Sequence, residues 1–151
     1  MERSRDPVFF KLMADSFARL LGDELVPGEM TAEAAARWLY EDAPFAVLAH
    51  SPEDDPRFIY GNLVAQKRFE YSWDELVRLP SRLSAEKQDR LKRQDLMDSV
   101  RRIGYLRGYQ GLRISKSGRR FMIEDVTLWR LVDVDGLVKG EAARISRTTD
   151  L

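Results

Sequence analysis

Two turn signals, Lys116-Ser117-Gly118 and Asp133-Val134-Asp135-Gly136, cut the C-terminal part of the chain into three extended apolar stretches. Ser-Gly and Asp-Gly between apolar runs favour antiparallel hairpins, because glycine readily adopts the positive φ that tight turns need. Residues 105–115, 119–132 and 137–147 are therefore expected to form a three-strand meander. Such a meander must bury at least one face, so the rest of the chain has to supply further strands and a covering layer.

The N-terminal part carries both. Phe9, Met13, Phe17 and Leu20 recur at helical spacing behind Pro7, which suits a first turn, and Gly22 suits a stop. Thr31 predicts the cap of a second helix running through the alanine-rich segment to Leu39. Phe45-Ala46-Val47-Leu48-Ala49-His50 is a compact apolar run, followed by Ser51-Pro52-Glu53-Asp54-Asp55-Pro56 and then Arg57-Phe58-Ile59-Tyr60. These read as two strands joined by an acidic loop. Asn62 predicts the cap of the next helix, and Ser72-Trp73-Asp74-Glu75 has the Ser-x-x-Glu spacing of a capping box. Pro80 ends that segment. Ser84 predicts the start of the longest helix, 85–103, with Leu96, Val100 and Ile103 on one face and Gly104 as its stop.

Two strands in front, three behind and helices between predict an α+β domain. The expected core is a five-stranded antiparallel sheet over 43–148, with the middle helices on one face. Residues 1–42 are expected to form flanking helices, the whole making effectively one domain.

Particular residues resemble a known family. Tyr60-Gly61-Asn62-Leu63-Val64-Ala65, followed by Phe69-Glu70-Tyr71-Ser72-Trp73-Asp74-Glu75-Leu76, resembles the PAS stretch in which an Asn opens one helix and a Phe-x-Tyr-Ser-x-x-Glu-Leu pattern opens the next. Ala43-Pro44-Phe45-Ala46-Val47-Leu48-Ala49-His50, Leu79-Pro80-Ser81-Arg82-Leu83-Ser84-Ala85-Glu86 and Gly108-Tyr109-Gln110-Gly111-Leu112-Arg113-Ile114-Ser115 are more specifically similar to the MEKHLA domain, a branch of the PAS-like superfamily. Gly118-Arg119-Arg120-Phe121 and Gly140-Glu141-Ala142-Ala143 continue the likeness, which spans about residues 8–145. The resemblance is to the free-standing bacterial kind. It implies a PAS-like fold and a sensory or regulatory role, binding a small molecule, a protein partner or both.

Composition removes several chemistries. The chain has no cysteine, which excludes disulfides, thiolate metal sites and the cysteine adduct of light-sensing flavin domains. Lys and Arg number 25 and so do Asp and Glu, so no overall field draws nucleic acid or an anionic membrane. The two halves differ, with 9 basic and 15 acidic side chains over 1–81 against 16 and 10 over 82–151, as expected for halves that pack together. Arg101, Arg102, Arg107, Arg119 and Arg120 are interleaved with Asp95, Asp98, Glu124 and Asp125, which argues against a nucleic-acid stripe. No apolar run reaches the ~18 residues of a membrane span, and the polar start lacks the apolar stretch of a secretory signal. A cytoplasmic location is expected.

His50 is the only histidine. At the end of a strand beside a polar loop it is expected to be hydrogen-bonded or solvent-facing, with haem ligation disfavoured. Asp133-x-Asp135-Gly136 lacks the further ligands of a calcium loop, so a hairpin turn is expected and no metal. No cofactor is predicted.

Most aromatics should be core, yet a cavity between sheet and helices would leave some lining it. The candidates for such a site are Tyr60, Phe69, Trp73, Phe121 and Trp129, with Ser81, Arg82, Tyr109 and Arg113 as its polar groups. Arg113 alternates with Tyr109 and Gly111 on one strand face. Facing inward, it would need an anionic partner from the protein or a ligand; facing outward, the orientation favoured here, it is a surface charge. The Phe9, Met13, Phe17 and Leu20 stripe has two destinations, the chain's own sheet or a second copy in a homodimer. The expected function is a ligand-binding sensor without catalysis. The alternatives are a ligand-free interaction module and a small enzyme using His50 or a carboxylate as base.

Overall fold

Asp6 accepts the Val8 amide on its side chain at 2.9 Å, opening the first helix, α1 (Pro7–Leu21), and Gly22 closes it in the left-handed conformation. The computed structural model describes residues 3–151; Met1 and Glu2, the start of the polar N-terminus, lie outside the described residues. Thr31 caps α2 (Ala32–Glu41) by accepting the Ala34 amide at 3.1 Å. The chain then enters β1 (Ala46–His50) and β2 (Phe58–Gly61), separated by the acidic loop. Asn62 caps α3 (Leu63–Phe69), and Ser72 and Glu75 close a capping box on α4 (Trp73–Leu76). After α5 (Arg90–Ile103) come β3 (Tyr105–Ile114), β4 (Arg120–Val132) and β5 (Val138–Asp150).

All five strands join one antiparallel sheet in the order β2-β1-β5-β4-β3, so the last strand lies in the middle. This is the expected α+β architecture, with the meander closing beside the front pair. Alternation then separates the faces: Val47 and Ala49 of β1 join one apolar cluster, Ala46 and Leu48 the other.

The first face is covered by α1 and α2. Trp129 of β4 meets Phe17 edge-on at 4.9 Å, and its indole N–H donates to the Met13 carbonyl at 3.0 Å. The Ser16 hydroxyl accepts the Val132 amide at 2.9 Å. Of its two destinations, the Phe9, Met13 and Phe17 stripe takes the chain's own sheet, where all three are buried and Leu20 packs half-buried beside them.

The middle helices α3, α4 and α5 cover the opposite face. One expectation needs correction there. The helix expected over 85–103 begins only at Arg90, after separate 3₁₀ turns at Ser81–Ser84 and Lys87–Asp89. Ser84 does not cap it, because its hydroxyl donates to the Ser81 carbonyl at 2.7 Å. The Arg90 Nε–H reaches back to the Arg82 and Ala85 carbonyls at 3.2 and 3.1 Å, fixing the tight turns. Only Arg93, Met97 and Val100 of α5 are buried, while Leu91 stays 79% exposed. Among the described residues no helix is long and apolar enough to cross a membrane.

Candidate functional site

Tyr109, Gly111 and Arg113 are brought to the helix-covered face by two irregularities in the β3–β4 ladder. The register shifts between Leu106 and Tyr109, where Gly108 has φ 69°, and again between Tyr109 and Gly111, near Asp125 of β4 at φ 51°. Each shift lets an extra residue reverse the alternation, so Leu106, Tyr109, Ile123 and Val126 all join the same cluster. A Cβ on Gly111 would strike the Tyr109 hydroxyl and crowd Arg113, so the glycine leaves room for both side chains to lie together.

They border a cavity of about 50 Å³ between sheet and helices. That is room for a few waters or the head of a small molecule. Its walls are mostly apolar, from Leu48, Phe58, Phe69, Met97, Ile123, Val126, Leu128 and Ile145. The polar groups are His50, Ser84, Arg93, Tyr109, Arg113 and Glu141.

Arg113 corrects the favoured outward reading: it is only 8% exposed and borders the cavity. Its Nη1 donates to the Leu112 carbonyl at 2.7 Å and its Nη2 to the Tyr109 hydroxyl at 3.3 Å. The guanidinium also lies 5.6 Å from the Tyr109 ring centroid. Arg93, 7% exposed on α5, donates to the Ser81 hydroxyl at 2.6 Å. Neither arginine forms an ion pair among the described residues. Burial lowers the Arg93 pKa to about 10, and the charge of Arg113 pushes the same way.

The remaining charges sit at another wall. Glu141 of β5 is 3% exposed; its Oε1 accepts from Arg101 Nε at 3.2 Å and its Oε2 lies 3.5 Å from His50 Nε2. Burial lifts the Glu141 pKa, opposed by Arg101. Burial drives His50 down to about 4, so it is neutral near pH 7. His50 is hydrogen-bonded, as one of its two expected settings required, with Nδ1 3.0 Å from the Ser51 carbonyl and Nε2 3.1 Å from Met97 Sδ. It is buried rather than solvent-facing.

The structure therefore brings Phe69, Tyr109 and Arg113 to one cavity, with Ser81 buried behind Arg93. Phe121 stands behind the wall, edge-on to Phe69 at 5.1 Å. Tyr60, Trp73 and Trp129 belong to the cluster under α1 and α2 on the other face. Tyr60 meets Trp73 at 5.9 Å and Phe9 at 5.6 Å. Arg82 is exposed and pairs with Asp55 at 3.2 Å.

Arg93, Met97 and Glu141 did not stand out as site residues in the sequence. The available signal for Arg93 was its spacing, since 93, 97 and 100 share one helix face. The arginines considered as a stripe are dispersed: Arg101 serves Glu141, Arg107 donates to the Leu21 carbonyl, and Arg120 pairs with Glu86. Asp133 spends its carboxylate on the Asp135 and Leu137 amides of the hairpin turn.

A family model described as the MEKHLA domain matches residues 8–149. Among curated proteins no sequence matches the chain. Solved structures share the fold at low identity. A PAS domain from Colwellia psychrerythraea superposes with a TM-score of 0.63 at 14% identity, covering 79% of this chain and 94% of that one. An RNA-binding Light-Oxygen-Voltage receptor gives 0.66 at 16% identity over 85% of this chain, which spans only 35% of the receptor. A blue-light activated histidine kinase of Erythrobacter litoralis gives 0.59 at 18% identity, over 74% of this chain and 34% of the kinase.

Proposed function

The chain belongs to the MEKHLA domain family and has the PAS fold, and from that premise we propose that it is a sensory domain whose ligand site is the cavity between the sheet and α5. The observation that carries this reading is the pair of buried arginines, Arg93 and Arg113, which border a mostly apolar cavity and, among the described residues, pair with no carboxylate. A chain that needed only a filled core would gain by replacing them with apolar side chains. Phe69, Tyr109 and Arg113 would contact the ligand, with Met97 and Arg93 above it on α5.

That helix is also the element suited to respond. It is anchored by three buried side chains, and a molecule entering beneath Met97 and Arg93 would displace them first. Its C-terminus leads through Gly104 directly into β3, so its motion is passed to the sheet edge. A partner chain would read that displacement.

A second reading, a small-molecule enzyme, is favoured by one observation: His50 and Glu141 lie 3.5 Å apart in the cavity wall. The details weigh against it. A histidine lowered to about 4 is a weak base near neutrality, and Met97 Sδ sits 3.1 Å from the nitrogen that would take the proton. Binding without catalysis accounts for the cavity better.

Native mass spectrometry of the protein purified gently from its own host tests the reading. The expected result is an added small-molecule mass that Ala143→Leu, filling the cavity from β5, removes. A bare protein mass, together with amide exchange in α5 that host small-molecule extract leaves unchanged, would overturn it.

A further inference from the structure

Resting on that sensory-site reading, we infer that the occupant is an organic carboxylate with a short apolar body, its carboxylate seated between Arg93 and Arg113. The cavity has surplus positive charge. Among the described residues Glu141 is its one acidic wall residue; its Oε1 accepts from Arg101 at 3.2 Å, and its Oε2, 3.5 Å from His50 Nε2, has no hydrogen-bond partner. Asp55, the other acid whose charge reaches Arg93, is exposed and pairs with Arg82 at 3.2 Å. The two guanidiniums are therefore left to neutral partners, Ser81, Tyr109 and the Leu112 carbonyl.

The unspent hydrogen-bonding capacity points the same way. A guanidinium carries five N–H donors in a planar fork. The buried side-chain nitrogens without a hydrogen-bond partner among the described residues belong to Arg68 and Arg130, so the free donors of Arg93 and Arg113 are not sealed off and stay open to a ligand. Among the described residues Arg93 makes one side-chain hydrogen bond and Arg113 two. A carboxylate accepts from such a fork through both oxygens, and one placed between two forks would also cancel their mutual repulsion.

The walls define the remainder of the molecule. Leu48, Phe58, Ile123, Val126 and Leu128 offer no polar side-chain atom, so a fully polar anion would forfeit their contacts. At about 50 Å³ the cavity takes the carboxylate head, and a short chain or single ring as its body requires α5 to yield.

The test is calorimetric titration and thermal unfolding of the full chain with hexanoate and benzoate, against hexanol, benzamide and inorganic phosphate. The acids are expected to bind and raise the melting temperature, with the neutral analogues at least about tenfold weaker. Arg93→Gln and Arg113→Gln should each weaken acid binding about tenfold or more while leaving the neutral analogues unchanged. Arg113→Lys, which keeps the charge and loses the fork, should fall between. Neutral analogues binding as tightly as acids, or acid affinity untouched by both Gln variants, would overturn the carboxylate and leave the cavity reading standing. Phosphate binding in preference to the acids would also overturn it. Binding of none of the five probes would overturn it together with the sensory-site reading.

Discussion

Arg93 of α5 and Arg113 of β3 converge on one cavity, where the charge of Arg113 adds to the burial that makes Arg93 harder to keep charged. Their elements are separated by the turn at Gly104, so the arrangement is a product of the whole fold rather than of one local motif. Like charges under cover destabilise a chain unless something binds between them. That cost gives the cavity its meaning and makes several consequences measurable.

Asn62 is the hinge of the helix-side architecture. Its Oδ1 accepts the Val47 and Ala65 amides at 3.0 and 3.1 Å, and its Nδ2 donates to the Leu39 and Phe45 carbonyls at 3.0 and 2.9 Å. One fully buried side chain thereby caps α3, holds β1 and fixes the end of α2. Asn62→Leu strands these backbone groups and should lower unfolding stability by about 2–4 kcal/mol in urea titrations. A loss under 1 kcal/mol, within the range of ordinary surface changes, would contradict that role.

Acid should weaken the fold through His50. Its folded pKa of about 4 lies below its ordinary 6.5, so between those values the unfolded chain binds a proton that the folded chain refuses. Stability is therefore fully present above pH 6.5 and is lost as pH falls toward 4, by at most about 3 kcal/mol. Arg93 and Arg101 face the ring and reinforce the effect, while Glu141, whose pKa is raised, acts in the opposite direction. His50→Asn should flatten this limb in denaturation midpoints measured across that window, whereas an unchanged slope would assign it to other groups. Glu70 and Glu75, both lowered to about 2, act at more acid pH.

Gly111→Ala should disturb the site without removing any of its polar groups. The added methyl meets the Tyr109 hydroxyl and Arg113 Nη1, forcing both side chains to move. The expected cost is about 1–3 kcal/mol, with altered cavity-facing methyl signals for Ile123 and Val126 in nuclear magnetic resonance spectra. Wild-type stability and unchanged methyl signals would show that the pocket wall tolerates the methyl.

Phe17→Ala tests whether α1 is integral to the fold. The ring packs edge-on against Trp129 in the fully buried core, so its loss should cost about 3–5 kcal/mol. The loss should appear as one cooperative transition. A separate early transition of α1, with sheet stability retained, would make the helix an appendage.

Caps and turns were legible in the sequence because they are local. Thr31, Asn62 and Ser72 each accept an amide three residues onward, and Asp133 holds its own turn. The start of α5 was misplaced because Arg90 and Ser84 bond backward to carbonyls, a choice that residue types alone leave open. The Tyr109–Arg113 face was recognised, but its direction was misjudged. Burial of an arginine is normally too costly to expect, and the bulges near Gly108 and Asp125 re-aim the strands. The aromatic candidates divided between the two faces because composition does not say which side of a strand a residue occupies. Trp129 went under α1, Phe69 to the cavity.

The central claim is that Arg113 is kept for a ligand at the expense of the empty fold, and Arg113→Met tests it most directly. In urea unfolding of ligand-free protein at neutral pH, the variant should be more stable than wild type by about 1–4 kcal/mol. Arg93→Met added to it should then contribute less than it does alone, because the repulsion is already relieved. A midpoint that falls on replacing Arg113 would show that the fold itself depends on the guanidinium, and would contradict the account.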